Sequence, residues 1–215
     1  MVNRQRQPLV PEQNNIEQTS FFAHETLREG QKEMLQDSIN ALKNNGHHLA
    51  AAPTGIGKTA AALAAGLEAL SNSTNKKIFF LTGRQSQHKI VVETIKNINS
   101  TLDFQNIKCV DLIGRQSMCV ELDLFSGKCN CEQGLPGGIK QIAYEDLKEM
   151  ILDNPLHVDE VIKKSRERFL CPWKALRNSA KDAEIIVCDY NHLFIDVIRE
   201  NSLPGLGVAL EDIII

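Results

Sequence analysis

From Gln31 the apolar residues Met34, Leu35, Ile39 and Leu42 recur at three- and four-residue spacing, which predicts a helix with one buried stripe ending at Asn45-Gly46. A short strand is expected at 48–51. The Ala- and Leu-rich run from Gly57 to Leu70 has high helix propensity, and the unbroken apolar run at 77–81 predicts a buried strand. A helix over 86–98 follows, and the apolar runs at 107–113, 184–188 and 212–215 read as further strands. Strands alternating with helices imply a parallel sheet with helices on its faces.

That rhythm is lost between 114 and 178. No strand pattern is present there, short helices are expected at 144–152 and 158–168, and four of the six cysteines fall in the segment. It reads as an insertion. Residues 1–19 are rich in Gln, Asn and Pro with few apolar anchors, so little offsets the entropy of ordering them, and they read as a disordered tail. The division is therefore tail 1–19, first part of an α/β domain 20–113, mainly helical insertion 114–178, and domain continuation 179–215. The apolar run at 212–215 reads as a strand cut off before a catalytic loop.

With 215 residues, 42% of them apolar, the chain can bury a sizeable core. The formal net charge of −3 with mixed signs excludes a polybasic nucleic-acid-binding chain, so any such contact must come from a local patch. No basic-then-apolar leader is present and no apolar run approaches the roughly 20 residues that span a bilayer. An intracellular protein that leaves membranes alone is expected. In a reducing compartment clustered cysteines are ligands or small buried hydrophobes rather than a disulfide framework.

Residues 52–59 read Ala-Pro-Thr-Gly-Ile-Gly-Lys-Thr, between an expected strand and an expected helix, which is the setting that gives a phosphate-binding loop its meaning. Gly55 and Gly57 can take backbone angles closed to other residues, so that amides of Thr54, Gly55, Ile56 and Gly57 converge on phosphate oxygens at the positive end of a helix. Lys58 would neutralise the β- and γ-phosphates of ATP. Thr59 supplies a hydroxyl for Mg²⁺, which stabilises charge during transfer of the γ-phosphoryl group to water. Ala52 replaces the first glycine of the general motif, a form common among helicases.

Cys119, Cys129, Cys131 and Cys171 are separated by nine, one and 39 residues. Four thiolates at long, uneven spacing suit a 4Fe-4S cluster, structural zinc favours tighter pairs, and unligated thiols are the third reading. Spacing alone leaves the three open. Cys109 and Cys188 lie inside apolar strands and read as small buried side chains.

The ordered set of motifs resembles the XPD and DinG group of superfamily-2 helicases. Leu27-Arg-Glu-Gly-Gln31 resembles the group's Gln-bearing segment ahead of the phosphate loop, which adds Gln31 to the nucleotide site. Residues 79–87 resemble motif Ia. Gly114-Arg-Gln-Ser-Met-Cys119, Gly127-Lys-Cys129 and Cys171-Pro-Trp173 resemble the cysteine-bearing segments, and residues 185–194 the strand and helix that return to the motor. The resemblance implies an incomplete RecA-like domain with an inserted 4Fe-4S domain ligated by Cys119, Cys129, Cys131 and Cys171, in an ATP-dependent DNA helicase of 5′ to 3′ polarity and DNA repair type. In this group the residues matching 213–215 are followed by the DEAH box, so this chain alone is expected to be inactive as an ATP hydrolase.

Seven basic residues between 161 and 181, against the one acid Glu167, reverse the charge locally. Lys163, Lys164, Arg166, Arg168 and Lys174 can track phosphates of single-stranded DNA, with Trp173 as a stacking surface and Arg177 and Lys181 beside them. Thr82 and Arg84 are the motor-side candidates. Expected partners are single-stranded DNA, duplex junctions, and repair or transcription proteins, for a monomeric motor in the cytoplasm and nucleoid or the nucleus. The rival reading is a regulatory module that holds ATP, DNA and a zinc or redox-sensing iron site without unwinding anything. A complete parent chain discriminates the two. His47, His48, His88, His157 and His192 are scattered and read as surface or satisfied core residues.

Overall fold

The computed structural model describes residues 19–23, 26–73, 75–102, 106–119, 121, 123, 125–126, 131 and 136–215. The tail expected at 1–19 lies outside them except for Thr19. Among these residues four strands, β1 Lys77–Leu81, β2 Cys109–Asp111, β3 Ile185–Cys188 and β4 Ile213–Ile214, form one sheet in the order β2-β3-β1-β4. Every pairing is parallel, with Ile78 opposite both Ile185 and Ile214, and Cys109 opposite Ile185. The α/β class and the parallel sheet follow the periodicity of the sequence.

Alternation along the strands divides the core. Ile78, Ile185, Val187, Cys109 and Ile214 face helices α2 Lys58–Ser71 and α3 Gln85–Thr101, through Leu63, Leu67, Val91, Ile95 and Ile98. Phe79, Val110, Ile186 and Cys188 face the other way, as a period of two requires. They share one core with α5 Gly137–Asp153, α6 Val158–Glu167, α7 Pro172–Ala180 and α9 Asp196–Leu206. Much of the 114–178 segment is thus drawn onto the sheet: Leu147, Ile151, Val158, Val161 and Leu176 are fully buried there. Short helices α4 Arg115–Met118 and α8 Asn191–Phe194 complete the order.

Helix α1 Gln31–Lys43 lies against α2, closing a smaller core of Phe22, Leu35, Ala60, Ala61, Ala64 and Ala65. Its end is fixed by Asn45 at φ 51 and by the Gly46 amide donating to Ala41 O at 2.7 Å. Lys77, at the start of β1, donates its amine to the carbonyls of Ala180, Lys181 and Ala183 at 3.1, 2.8 and 2.5 Å. That satisfies carbonyls at the end of α7 that have no partner within the helix.

The strand expected at 48–51 does not form: the segment runs as coil, with Leu49 98% exposed. His48-Leu-Ala-Ala51 contains no β-branched residue, and β4 pairs through only Ile213 and Ile214, so neither propensity nor a long ladder holds it. His48 is tied instead to α1, its Nδ1 lying 2.8 Å from Ser38 Oγ.

Candidate functional site

The phosphate-loop residues lie at the N-terminus of α2, whose apolar face is buried against the sheet and α1. Gly55 has φ 87 and Gly57, the cap of α2, has φ 92, both in the left-handed region. The two glycines differ in surroundings. A Cβ on Gly55 would meet nothing within 4 Å, whereas one on Gly57 would sit 2.3 Å from Gln31 Nε2. A side chain at 57 would displace the Gln31 amide.

Gln31 is 1% exposed and clasps the loop from α1: its Nε2 donates to Gly57 O at 3.1 Å, and its Oε1 accepts from the Arg28 amide at 3.0 Å. The Arg28 guanidinium donates to Gly55 O, a contact that residue patterns did not reveal. Its signal was the Arg two positions ahead of Gly30 in the Gln-bearing segment. Lys58 Nζ donates to Ala52 O and Pro53 O at 2.9 Å each, so its charge lies over the loop. Thr54 and Gly55 are exposed, while Ile56, Gly57, Lys58 and Thr59 are half-buried. Two left-handed glycines, a helix N-terminus and a lysine amine can together receive a polyphosphate, with the Thr59 hydroxyl available to a divalent cation.

The cysteines are placed unevenly. Cys119 follows α4 and Cys171 caps the N-terminus of α7; both are buried, at 6% and 8% exposure, and α4 contacts α7. The Cys171 amide donates to Tyr144 Oη at 2.8 Å, which fixes the start of α7 to α5. A helix N-terminus favours a thiolate at Cys171. Cys131 is half-buried and disulfide-bonded, and the expected ligand Cys129 lies outside the described residues. Donor type and burial at Cys119 and Cys171 fit an iron-sulfur cluster, but a thiol in a disulfide offers no thiolate until it is reduced. Among the described residues no group of three or more His, Cys, Asp or Glu side chains is gathered to hold a metal. Burial pushes the thiols of Cys109 and Cys188 up, so both are inert apolar neighbours in the sheet.

The basic residues fall on α6, on α7 and between them. Lys163, Arg166 and Lys174 are exposed, and Lys164 and Arg168 are half-buried, the Arg168 guanidinium donating to Lys164 O at 3.0 Å. Lys174 Nζ lies 4.7 Å from the Tyr144 ring centre. Trp173 is half-buried against the core beneath the Arg177 guanidinium, 5.7 Å from the ring centre, so its ring is already engaged. On the other side of the sheet's edge Arg84 caps α3 and is exposed, while Thr82 is buried at the end of β1.

One buried cluster was not legible as a site. Asp111 is fully buried; its Oδ1 lies 2.5 Å from His88 Nδ1, and its Oδ2 accepts from the Val158 amide at 2.8 Å. His88 Nε2 lies 3.3 Å from Thr82 O, and His157 Nε2 is 3.7 Å from Asp111 Oδ2. Burial alone would push the His88 imidazole down, but the hydrogen bond and charge of Asp111, the Thr82 carbonyl and the charge of Asp189 hold it above its ordinary value. The sequence signal was an acid inside the otherwise apolar run at 107–113.

Comparison with known proteins places these features in a family. The chain matches the DEAD_2 family over residues 80–215, and the res subunit of type III restriction enzymes over residues 24–119. It belongs to the DEAD_2 family, and its resemblance to the XPD and DinG group holds. An ATP-dependent DNA helicase XPD of Sulfolobus acidocaldarius is 29% identical over 181 residues, covering 81% of this chain and 30% of that protein. An ATP-dependent DNA helicase chl1 of Schizosaccharomyces pombe is 22% identical over 149 residues, covering 64% of this chain and 17% of that protein. Among solved structures, one titled XPD_Helicase has a TM-score of 0.60 at 24% identity over 89% of this chain and 32% of its own, a likeness of fold. A second, titled Truncated XPD, has a TM-score of 0.51 at 26% identity over 79% of this chain and 48% of its own. The chain spans under a third of the curated relatives it matches.

Proposed function

We propose that this chain is the nucleotide-binding and cysteine-bearing part of an ATP-dependent DNA helicase of DNA repair type, moving 5′ to 3′. The observation that carries the reading is the phosphate loop: left-handed Gly55 and Gly57, clasped by Gln31, present Lys58 and Thr59 at the N-terminus of a helix buried on a parallel sheet. Membership of DEAD_2 and the names of the relatives support the motor. In this reading Thr54, Gly55, Ile56 and Gly57 cradle the phosphates, Lys58 neutralises their charge, Thr59 holds Mg²⁺, and Gln31 fixes the loop. The motor comprises 20–113 and 179–215, with 114–178 as its cysteine-bearing segment.

Cys119, Cys129, Cys131 and Cys171 are the thiolates for a 4Fe-4S cluster, which supplies a rigid structural knot rather than chemistry on the nucleotide. The support is four cysteines for one site once the Cys131 disulfide is reduced, two of them buried at the ends of contacting helices, with Cys171 at a helix N-terminus. Arg84 meets the strand from the motor side, and Lys163, Lys164, Arg166, Arg168 and Lys174 from the cysteine-bearing side. Trp173 contributes through packing, since Arg177 covers its ring.

The test is anaerobic purification of the chain with iron, sulfide and zinc analysis, beside strand-displacement assays of the parent protein on 5′- and 3′-tailed duplexes. About four iron and four sulfide per chain, lost in Cys131→Ser, together with ATP-dependent opening of the 5′-tailed substrate, is the expected result. Stoichiometric zinc that persists after reconstitution with iron and sulfide, with no strand displacement, would establish the non-motor regulatory module instead.

A further inference from the structure

The His88 ring has an acceptor at each nitrogen. Nδ1 faces a carboxylate oxygen of Asp111 at 2.5 Å and Nε2 faces the carbonyl of Thr82 at 3.3 Å. A carbonyl never donates, so Nε2 must carry a proton to make its bond. A second proton lies between Nδ1 and Oδ1. On the other side of the carboxylate Oδ2 accepts from the Val158 amide at 2.8 Å, and this amide belongs to the first turn of α6, whose positive end points at the carboxylate. Asp189, after β3, adds a further negative charge facing the ring. His157, the N-cap of α6, sits on the far side of Asp111 with Asp159 and Glu160 in the turn behind it. On its own helix His88 is flanked by Lys89, exposed, with Arg84 at the cap.

We propose that His88 is held doubly protonated between Asp111 and the Thr82 carbonyl, and that as this charged bridge it positions the turn at 82–84 for contact with a nucleic-acid strand. The contact with nucleic acid rests on the motor reading above; the bridge does not. The turn has few other restraints. Thr82 donates its amide to Cys188 O at 3.0 Å, its Oγ1 accepts from the Arg84 amide at 3.4 Å, and Gly83 lies against the Tyr190 ring, which an added Cβ would approach to 3.7 Å. Thr82 is 9% exposed, so a carbonyl released by His88 has little access to water in place. Loss of the Nδ1 proton would set a lone pair against the carboxylate at 2.5 Å, and the ring would have to turn or withdraw. The Thr82 carbonyl, and with it Arg84 at the cap of α3, would move as a consequence. Through Asp111 the same bridge reaches α6, so the two basic surfaces are anchored to one buried charge pair.

The sign of the pH dependence follows. Stability and order gained from the bridge are fully present below the ordinary imidazole value and are lost as pH rises through the raised value of His88.

The experiment is histidine-labelled nitrogen NMR on the full chain. The expected result is two protonated ring nitrogens for His88 at pH 6.5, with the amides of Gly83 and Arg84 titrating at the same midpoint as the ring and ceasing to do so in His88→Gln. A bare ring nitrogen on His88 at pH 6.5, or Gly83 and Arg84 amides indifferent to its titration, overturns the proposal. Should His88→Gln fail to fold, Asp111→Asn preserves shape while removing the charge and must abolish the same titration. Oligothymidylate binding then tests the use of the turn: affinity should weaken about fivefold as pH passes the His88 midpoint and stay flat in the variants, the scale of one positioning hydrogen bond. A chain that binds no oligothymidylate at any pH refutes the nucleic-acid contact, and with it the motor reading, while the amide titration still decides the bridge.

Discussion

Substituting alanine at Gly57 and, separately, at Gly55 divides the phosphate loop into a backbone contribution and a contact contribution. Both glycines are left-handed, at φ 92 and φ 87, so each alanine carries a backbone cost of roughly 1–2 kcal/mol. At Gly55 the added methyl meets nothing within 4 Å and that cost stands alone. At Gly57 it would lie 2.3 Å from Gln31 Nε2, and the amide must leave. Gln31 then loses its bonds to Gly57 O and from the Arg28 amide, worth about 0.5–1.5 kcal/mol each, in a pocket that leaves the side chain 1% exposed. Gly57→Ala should therefore cost about 2–5 kcal/mol and Gly55→Ala about 1–2, against a total stability of roughly 5–15 for a domain. Urea unfolding of both variants reads the difference, and Gln31→Ala should cost much less in the Gly57→Ala background than alone, because its bonds are already lost there. Equal midpoints for the two alanine variants would show that Gln31 does not clasp the loop and would refute this assignment of its role.

Other consequences follow from buried polar groups. Lys77→Met removes the donor shared by the carbonyls of Ala180, Lys181 and Ala183 at and just after the end of α7 and should cost about 1–3 kcal/mol by urea unfolding, with faster amide exchange in the last turn of α7. Burial pushes His192 below the ordinary value of 6.5, though Asp189 pulls it back, so the stability of its neutral form is present above that value and is lost as pH falls toward the folded one. Unfolding midpoints at pH 7 and 5.5 should fall further in the unsubstituted chain than in His192→Gln; identical falls would show that His192 is not buried as a neutral ring. Tyr144→Phe removes the acceptor of the Cys171 amide, costs about 1 kcal/mol, and should lower iron retention after reconstitution if α7 presents Cys171 to the cluster.

What the chain's pattern made legible is what depends on neighbours in sequence. Strand Lys77–Leu81 and helices α1, α2 and α3 emerge from local periodicity, and the phosphate loop from the eight consecutive residues 52–59, with left-handed turns at Gly55 and Gly57. The segment at 48–51 misled because a strand ahead of such a loop is an expectation of context, while its own residues supply neither β-branching nor a ladder of useful length. Helices α7 and α9 were hidden by their composition. The basic residues and Trp173 in α7 drew attention as a surface, yet Ala175, Leu176 and Ala180 on its other side are buried in the sheet's core. Packing of α5, α6 and α7 on the sheet joins residues far apart in sequence, which no local window reports. The same holds for His88 and Asp111, 23 positions apart, whose meeting depends on β2 lying beside the start of α3.

Calorimetric titration of MgATP into the chain and its Lys58→Met variant bears most directly on the phosphate loop. Saturable binding at one site, weakened at least about tenfold in Lys58→Met and by removal of Mg²⁺, is the expected result for a lysine and a hydroxyl that meet polyphosphate and cation together. Affinity unchanged by the loss of Lys58, or no binding in a chain whose unfolding is cooperative, would contradict it.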